Sequence, residues 1–236
     1  MEGKDPRWNG LLQEATERFA ARGWNDGWDQ GVGEREGISE EERLRAFPTS
    51  EDLLTAAAGA MLEEALEAQS GTLEDPSLDA AEKLRRLFRG LAAWKLRHRA
   101  FFRHLTLAAY QGPNLLLQQR LMEMMEQRMV PLTADLFRQG TEEGVLFVPE
   151  PLDAAEQILW MMRGLGPRAA SVLAAPSLAG VEDFLRQIHS ASRSIERILG
   201  IPEGTLGLGA LFRETLHAWF DAATGPEAGR AAPRGL

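Results

Sequence analysis

Residues 11–54 read LLQEATERFAARGWNDGWDQGVGEREGISEEERLRAFPTSEDLL, and their spacing decides the fold. Leu11, Leu12, Ala15, Phe19 and Ala20 recur at helical intervals, so residues 8–22 form an amphipathic helix. Gly23 stops it, as a C-terminal glycine does. A short helix is expected over 28–36, turned by Gly37. Ser39-x-x-Glu42 has the form of a capping box and opens another short helix. Pro48 biases Phe47 away from helical angles and ends it. Thr49 caps a longer helix over 50–69. Two short helices joined by a glycine turn, with a longer helix on each side, make a helix-turn-helix.

The same stretch resembles the TetR family of bacterial transcriptional regulators. The resemblance rests on Ala15, Phe19, Ala20, Arg22-Gly23-Trp24, Gly37-Ile38-Ser39, Phe47-Pro48-Thr49-Ser50-Glu51 and Leu53-Leu54, aligned without a gap. Weaker likenesses are Thr141-Glu142-Glu143-Gly144-Val145-Leu146 followed by Asp153-Ala154-Ala155, and Ile198-Leu199-Gly200-Ile201-Pro202. The resemblance implies an all-α protein with a helix-turn-helix at 1–54 and a helical effector-binding and dimerisation bundle at 55–223. It also implies a cytoplasmic homodimer that holds operator DNA and releases it when a small apolar effector enters the bundle.

The surface of that helix-turn-helix departs from the pattern. Gly27 and Trp28 stand where the family carries Thr or Ser for phosphate. Glu40, Leu44, Ala46 and Ser50 replace a lysine, a tyrosine, a second aromatic and another lysine. Between Asn25 and Asp52, three arginines stand against nine carboxylates, leaving −6. Duplex DNA takes most of its affinity from Lys and Arg at phosphates, so this head is poorly charged for that partner. The side chains left as candidate DNA contacts are Ser39, Arg43, Arg45 and Thr49. The alternative reading is a TetR-like fold that has lost DNA binding and serves as a ligand- or lipid-binding module, or as a protein-interaction module.

Beyond residue 54 the sequence reads as helices over 78–98, 101–110, 114–139, 152–174, 181–199 and 209–221, with 70–79 as a surface loop. Gly204 to Gly209 reads as a flexible connector, and 224–236, rich in Gly, Ala, Pro and Arg, as a disordered tail. Trp94, Phe101, His104, Tyr110, Met122, Met125, Phe137 and Trp160 are the candidate effector contacts, since pockets between helices are apolar with a few polar groups. The basic run from Lys95 to His104 reads as a solvated bend, as an anchor for an acidic effector, or as a contact for an acidic protein partner. Helices 152–174 and 181–199 carry apolar stripes that mark them as buried, and the resemblance implies that they form a two-fold four-helix seam between protomers.

Several classes receive no support. The chain of 236 residues has no cysteine, hence no disulfide and no thiolate chemistry. Its four histidines lack paired metal-ligand spacing, and it has no phosphate loop and no nucleophile elbow. No catalytic residue, metal or cofactor is therefore expected. No apolar run is long enough for a membrane span, and the net charge of −9 argues against general affinity for nucleic acid.

Overall fold

The computed structural model describes residues 6–214 apart from Asp26, Pro113 and Phe212. Among these the regular structure is helical throughout, with no strand. Ten helices lie wholly within the described residues: α1 (Pro6–Arg22), α2 (Glu40–Ala46), α3 (Ser50–Glu67), α4 (Ser70–Leu73), α5 (Ala80–Arg97), α6 (Arg99–Tyr110), α7 (Leu115–Glu142), α8 (Pro151–Arg163), α9 (Gly166–Ala174) and α10 (Leu178–Ile198). The all-α expectation holds. Of the expected helix over 209–221, residues 209–211, 213 and 214 are helical; the rest of it, and the tail over 224–236, lie outside the described residues.

The largest local departure lies between α1 and α2. Residues 28–36 are a succession of turns ending in a single 3-10 turn, Glu34–Glu36, instead of a helix. Gly27, Gly31, Gly33 and Gly37 adopt φ of 74°, 68°, 98° and 69°. These left-handed values interrupt any α-helix and are cheap only for glycine. The loop is held by Glu14, a buried carboxylate of α1 that accepts from the Gly33 amide at 3.1 Å and from Arg18 at 2.7 Å. At Gly33 an added Cβ would lie 2.7 Å from Leu11 Cδ1, besides being strained at that φ. Gly33→Ala is therefore expected to destabilise the protein by about 1–3 kcal/mol in urea unfolding.

Two further expectations change. The loop over 70–79 contains the short helix α4. The single helix expected over 152–174 is two, α8 and α9, broken at Gly164 and Leu165. Pro167 has no N–H for the Arg163 carbonyl, and Gly166 gives no side-chain bulk. That bulk would be intolerable, because a Cβ at Gly166 would overlap the Tyr110 ring. The break thus lets α9 lie against α6. The stretch from Gly204 is likewise no free connector. Buried Glu196 accepts from the Gly204 amide at 2.7 Å and the Leu206 amide at 2.9 Å, which tucks Leu206 and Leu208 inside.

The interior does not divide at residue 54. One core joins Leu11, Phe19, Trp28, Leu53 and Leu54 of the N-terminal helices to Trp94, Phe101, Leu117 and Met124 of α5, α6 and α7. A second lies under α5, α7, α8 and α10, around Leu84, Leu87, Phe137, Ile158 and Ile195. A small third core joins α9 to α10 through Val172, Leu173, Phe184 and Ile188.

Candidate functional site

The head is built on two capping boxes, as the sequence spacing suggests. Ser39 Oγ accepts from the Glu42 amide at 3.3 Å and donates to the Glu42 carboxylate at 2.7 Å, while the Ser39 amide donates back at 2.8 Å. Thr49 and Asp52 repeat the arrangement at the start of α3. The hydroxyls of both Ser39 and Thr49, two of the four candidate DNA contacts, are thus engaged in helix caps. The hydrogen bonds from the Ser39 amide and hydroxyl hold the Glu42 pKa below its ordinary value.

Arg43 lies inward. Its side chain is 4% exposed; Nε donates to Glu40 at 2.9 Å and Nη1 to Asp29 at 3.4 Å. The Ser50 hydroxyl donates to the same Asp29 oxygen at 2.8 Å. One buried cluster therefore ties the glycine loop, α2 and the first turn of α3 together. The hydrogen bond from Arg43 holds the Glu40 pKa below its usual value, with burial opposing and the charge of Arg43 assisting. Arg45 is the outward basic side chain of α2, and it pairs with exposed Glu41 at 2.8 Å. Trp28, where the family would place a phosphate-binding hydroxyl, is 1% exposed and packs edge-on against Phe19 at 5.2 Å. Leu44 is left half-exposed on the outer face of α2.

Sequence reasoning missed Asp29 and Ser50. Their only sequence signal was an acid and a hydroxyl 21 residues apart, which becomes a contact once the loop folds back.

The eight candidate effector contacts do not gather at one place. Trp94 and Phe101 belong to the first core and Phe137 to the second. Met125 and Tyr110 pack at the edge of the first core, and Met122 is half-buried on α7. Burial raises the Tyr110 pKa, with the charge of Arg163 opposing. Trp160 is 51% exposed, with the Arg163 guanidinium 5.0 Å from its ring centre.

Phe101 and His104 form the joint between head and bundle. The Phe101 ring meets Phe19 edge-on at 5.4 Å. His104 Nδ1 donates to the Phe19 carbonyl at 3.1 Å, so the proton sits on Nδ1. That carbonyl lies in the last turn of α1 and also accepts from the Gly23 amide at 2.8 Å. Clefts of about 990 Å3 and 910 Å3 flank the α1–α3 contact, the first opening towards Arg97, His98 and Arg99.

Apolar residues of the helices expected at the dimer seam are largely inside the protomer: Ala154, Ala155, Ile158, Phe184, Ile188 and Ile195 are buried in its own cores. Leu152 and Trp160 on α8 and Leu178 on α10 remain open. Among the described residues no helix is long and apolar enough to cross a membrane, and no cluster of His, Asp or Glu suits a metal ion.

No curated protein and no solved structure matches the chain. Residues 108–164, from the end of α6 through α7 to α8, match the family described as tetracyclin repressor-like, C-terminal domain. That match, together with the all-helical architecture, supports a TetR-like C-terminal domain across α7 and its neighbours.

Proposed function

We propose that the chain is a dimeric transcriptional regulator whose hold on operator DNA is modulated by a small apolar ligand in the C-terminal bundle. The match of residues 108–164 to the family's regulatory domain carries this reading. The joint at Phe19, Phe101 and His104 supports it, because a shift of α6 on ligand binding would be passed directly to α1. The open side chains of Leu152, Trp160 and Leu178 offer an apolar surface for the dimer seam along α8 and α10.

DNA contact in this reading rests on Arg45, backbone amides and whatever the caps release. Anisotropy on the DNA flanking its own gene, measured across salt, is the direct test. A regulator gives sub-micromolar, steeply salt-dependent affinity for a near-palindrome. Absence of such binding would sink the proposal.

The position of Arg43 favours a second reading, a TetR-family fold whose head no longer holds DNA. Glu41 separates the two. Glu40 and Glu42 hold Arg43 and the cap, whereas Glu41 only pairs with Arg45 at the surface. Glu41→Lys therefore removes a repulsive charge and frees Arg45 without disturbing the buried cluster. A protein that already binds DNA should gain about tenfold or less at low salt. If binding appears only in the variant, the head of the native chain is not a DNA reader.

A further inference from the structure

Beyond α10 the chain turns back on itself. Residues 202–209 retrace that helix, and three of its side chains hold them. Arg193 pairs with Glu203 at 3.5 Å. Buried Glu196 accepts from the Gly204 and Leu206 amides at 2.7 Å and 2.9 Å, and His189 Nε2 donates to the Gly209 carbonyl at 3.2 Å. Spacings of four and three residues put His189, Arg193 and Glu196 in one stripe of α10. From α5, Arg85 Nε donates to the Thr205 carbonyl at 3.3 Å.

The inner side of this strap is apolar. Leu206 and Leu208 are 2% and 1% exposed and belong to the second core, with Leu84 and Leu87 of α5, Phe137 of α7, Ile158 of α8 and Ile195 of α10. Those partners stand on helices that are held by their own backbone ladders. Among the described residues the strap's backbone bonds to no other element: Thr205 to Pro202, Gly207 to Gly204 and Leu211 to Gly207 all close within its own run. A segment attached through a few side chains opens locally at less cost than the helices it covers. On opening, two leucines leave the core together, and a dry apolar cavity of that kind takes apolar ligands. Glu196 stays at the edge of the vacated space without its two donors, which is costly until another donor arrives. Arg85 keeps its pair with Glu82.

We propose that residues 202–209 are a displaceable plug: an uncharged apolar ligand with a donor head group enters the bundle by replacing Leu206 and Leu208, and its donor takes over Glu196 from the strap amides. The proposal rests on the effector-binding half of the proposed function and is independent of whether the head holds DNA.

Calorimetric titration of the full chain with 1-decanol, beside hydrogen exchange of the Gly204 and Leu206 amides, tests it. At saturating decanol those two amides should lose their protection, while the Leu199 amide, bonded to Ile195 at the end of α10, keeps its own. Gly207→Ala isolates the strap. Gly207 has φ of 63°, and an added Cβ would meet nothing within 4 Å, so the change penalises only the docked backbone. Apparent affinity scales with the open fraction, so this variant should bind decanol about fivefold to thirtyfold more tightly. Gly33→Ala, which strains the head instead, should leave decanol binding within about twofold. 1-Methoxydecane, a similar body without a donor, should bind about tenfold to a hundredfold more weakly than the alcohol.

Decanol binding that leaves the Gly204 and Leu206 amides protected overturns the proposal while sparing the effector-binding reading. So does unaltered affinity in Gly207→Ala, or an ether that binds as tightly as the alcohol. Folded native and Gly207→Ala proteins that take up no decanol overturn it as well. Strap-dependent decanol binding alongside absent DNA binding would instead remove the regulator reading alone.

Discussion

Arg43→Ala is expected to destabilise the protein by about 3 kcal/mol, the lower end of the range for breaking a buried ion pair, because Glu40 is half exposed. The loss comes from what the arginine leaves behind. Asp29 keeps the Ser50 hydroxyl but loses its positive partner, and α2 loses its tie to the glycine loop. Arg45→Ala is the matched comparison: its pair with Glu41 is fully at the surface, and such pairs contribute about 0–1 kcal/mol. Urea unfolding of both variants measures the difference. Equal, small losses would show that Arg43 is not held inside.

The same cluster sets an acid sensitivity. The folded-state pKa of Glu40 lies below its unfolded value, chiefly through the Arg43 hydrogen bond. A depressed carboxylate stabilises above its unfolded pKa, and that contribution disappears as pH falls through the folded value. Thermal melting from neutral pH down through the glutamate range should therefore narrow the gap between native protein and Arg43→Ala. A gap independent of pH would argue against the pair.

Phe101→Ala carries the other large expected effect, a loss of about 3–5 kcal/mol, the usual cost of emptying a buried aromatic site. Phe101 is 1% exposed and its ring meets both Phe19 and Phe102, so the cavity would open at the joint of α1 and α6. Trp160→Ala, a change of a larger ring that is half exposed, should cost under about 1 kcal/mol in the protomer. Both side chains are aromatic candidates for the same ligand site by sequence, and their separation in stability would follow from position alone. A head that still unfolds together with the bundle in the milder Phe101→Leu would confirm that the joint tolerates a smaller apolar group. Comparable losses for Phe101→Ala and Trp160→Ala would contradict the burial of Phe101 between α1 and α6.

Much of the scaffold was legible because it depends on contacts a few residues apart. Ser39 with Glu42 and Thr49 with Asp52 are capping pairs three residues apart, so reading them needed no tertiary information. The ends of α3, α5 and α7 followed from periodicity and punctuation in the same way. The glycine loop was the exception among local features. Its apolar residues Trp28 and Val32 fit helical spacing, but the left-handed glycines between them prevail over that pattern.

The candidate sites were far less legible. Helical spacing says that a face is covered without saying by what. Phe101 and His104 stand one turn apart in a plausible pocket wall, and they face α1 because α6 packs on it. Ala154, Ala155 and Ile158 form a plausible dimer stripe, and they serve the protomer's own core because α7 lies beneath α8. The buried, unpartnered indole N–H of Trp94 had no sequence signature at all.

By itself, then, the sequence determined an all-helical chain with a capped, acidic head, since caps, glycines and charge act locally or add over residues. Only the tertiary structure decided that Arg43 turns inward and that the head and bundle share one core. Each of those depends on which distant side chain arrives opposite, and burial and pairing between distant residues exist only once the helices have packed.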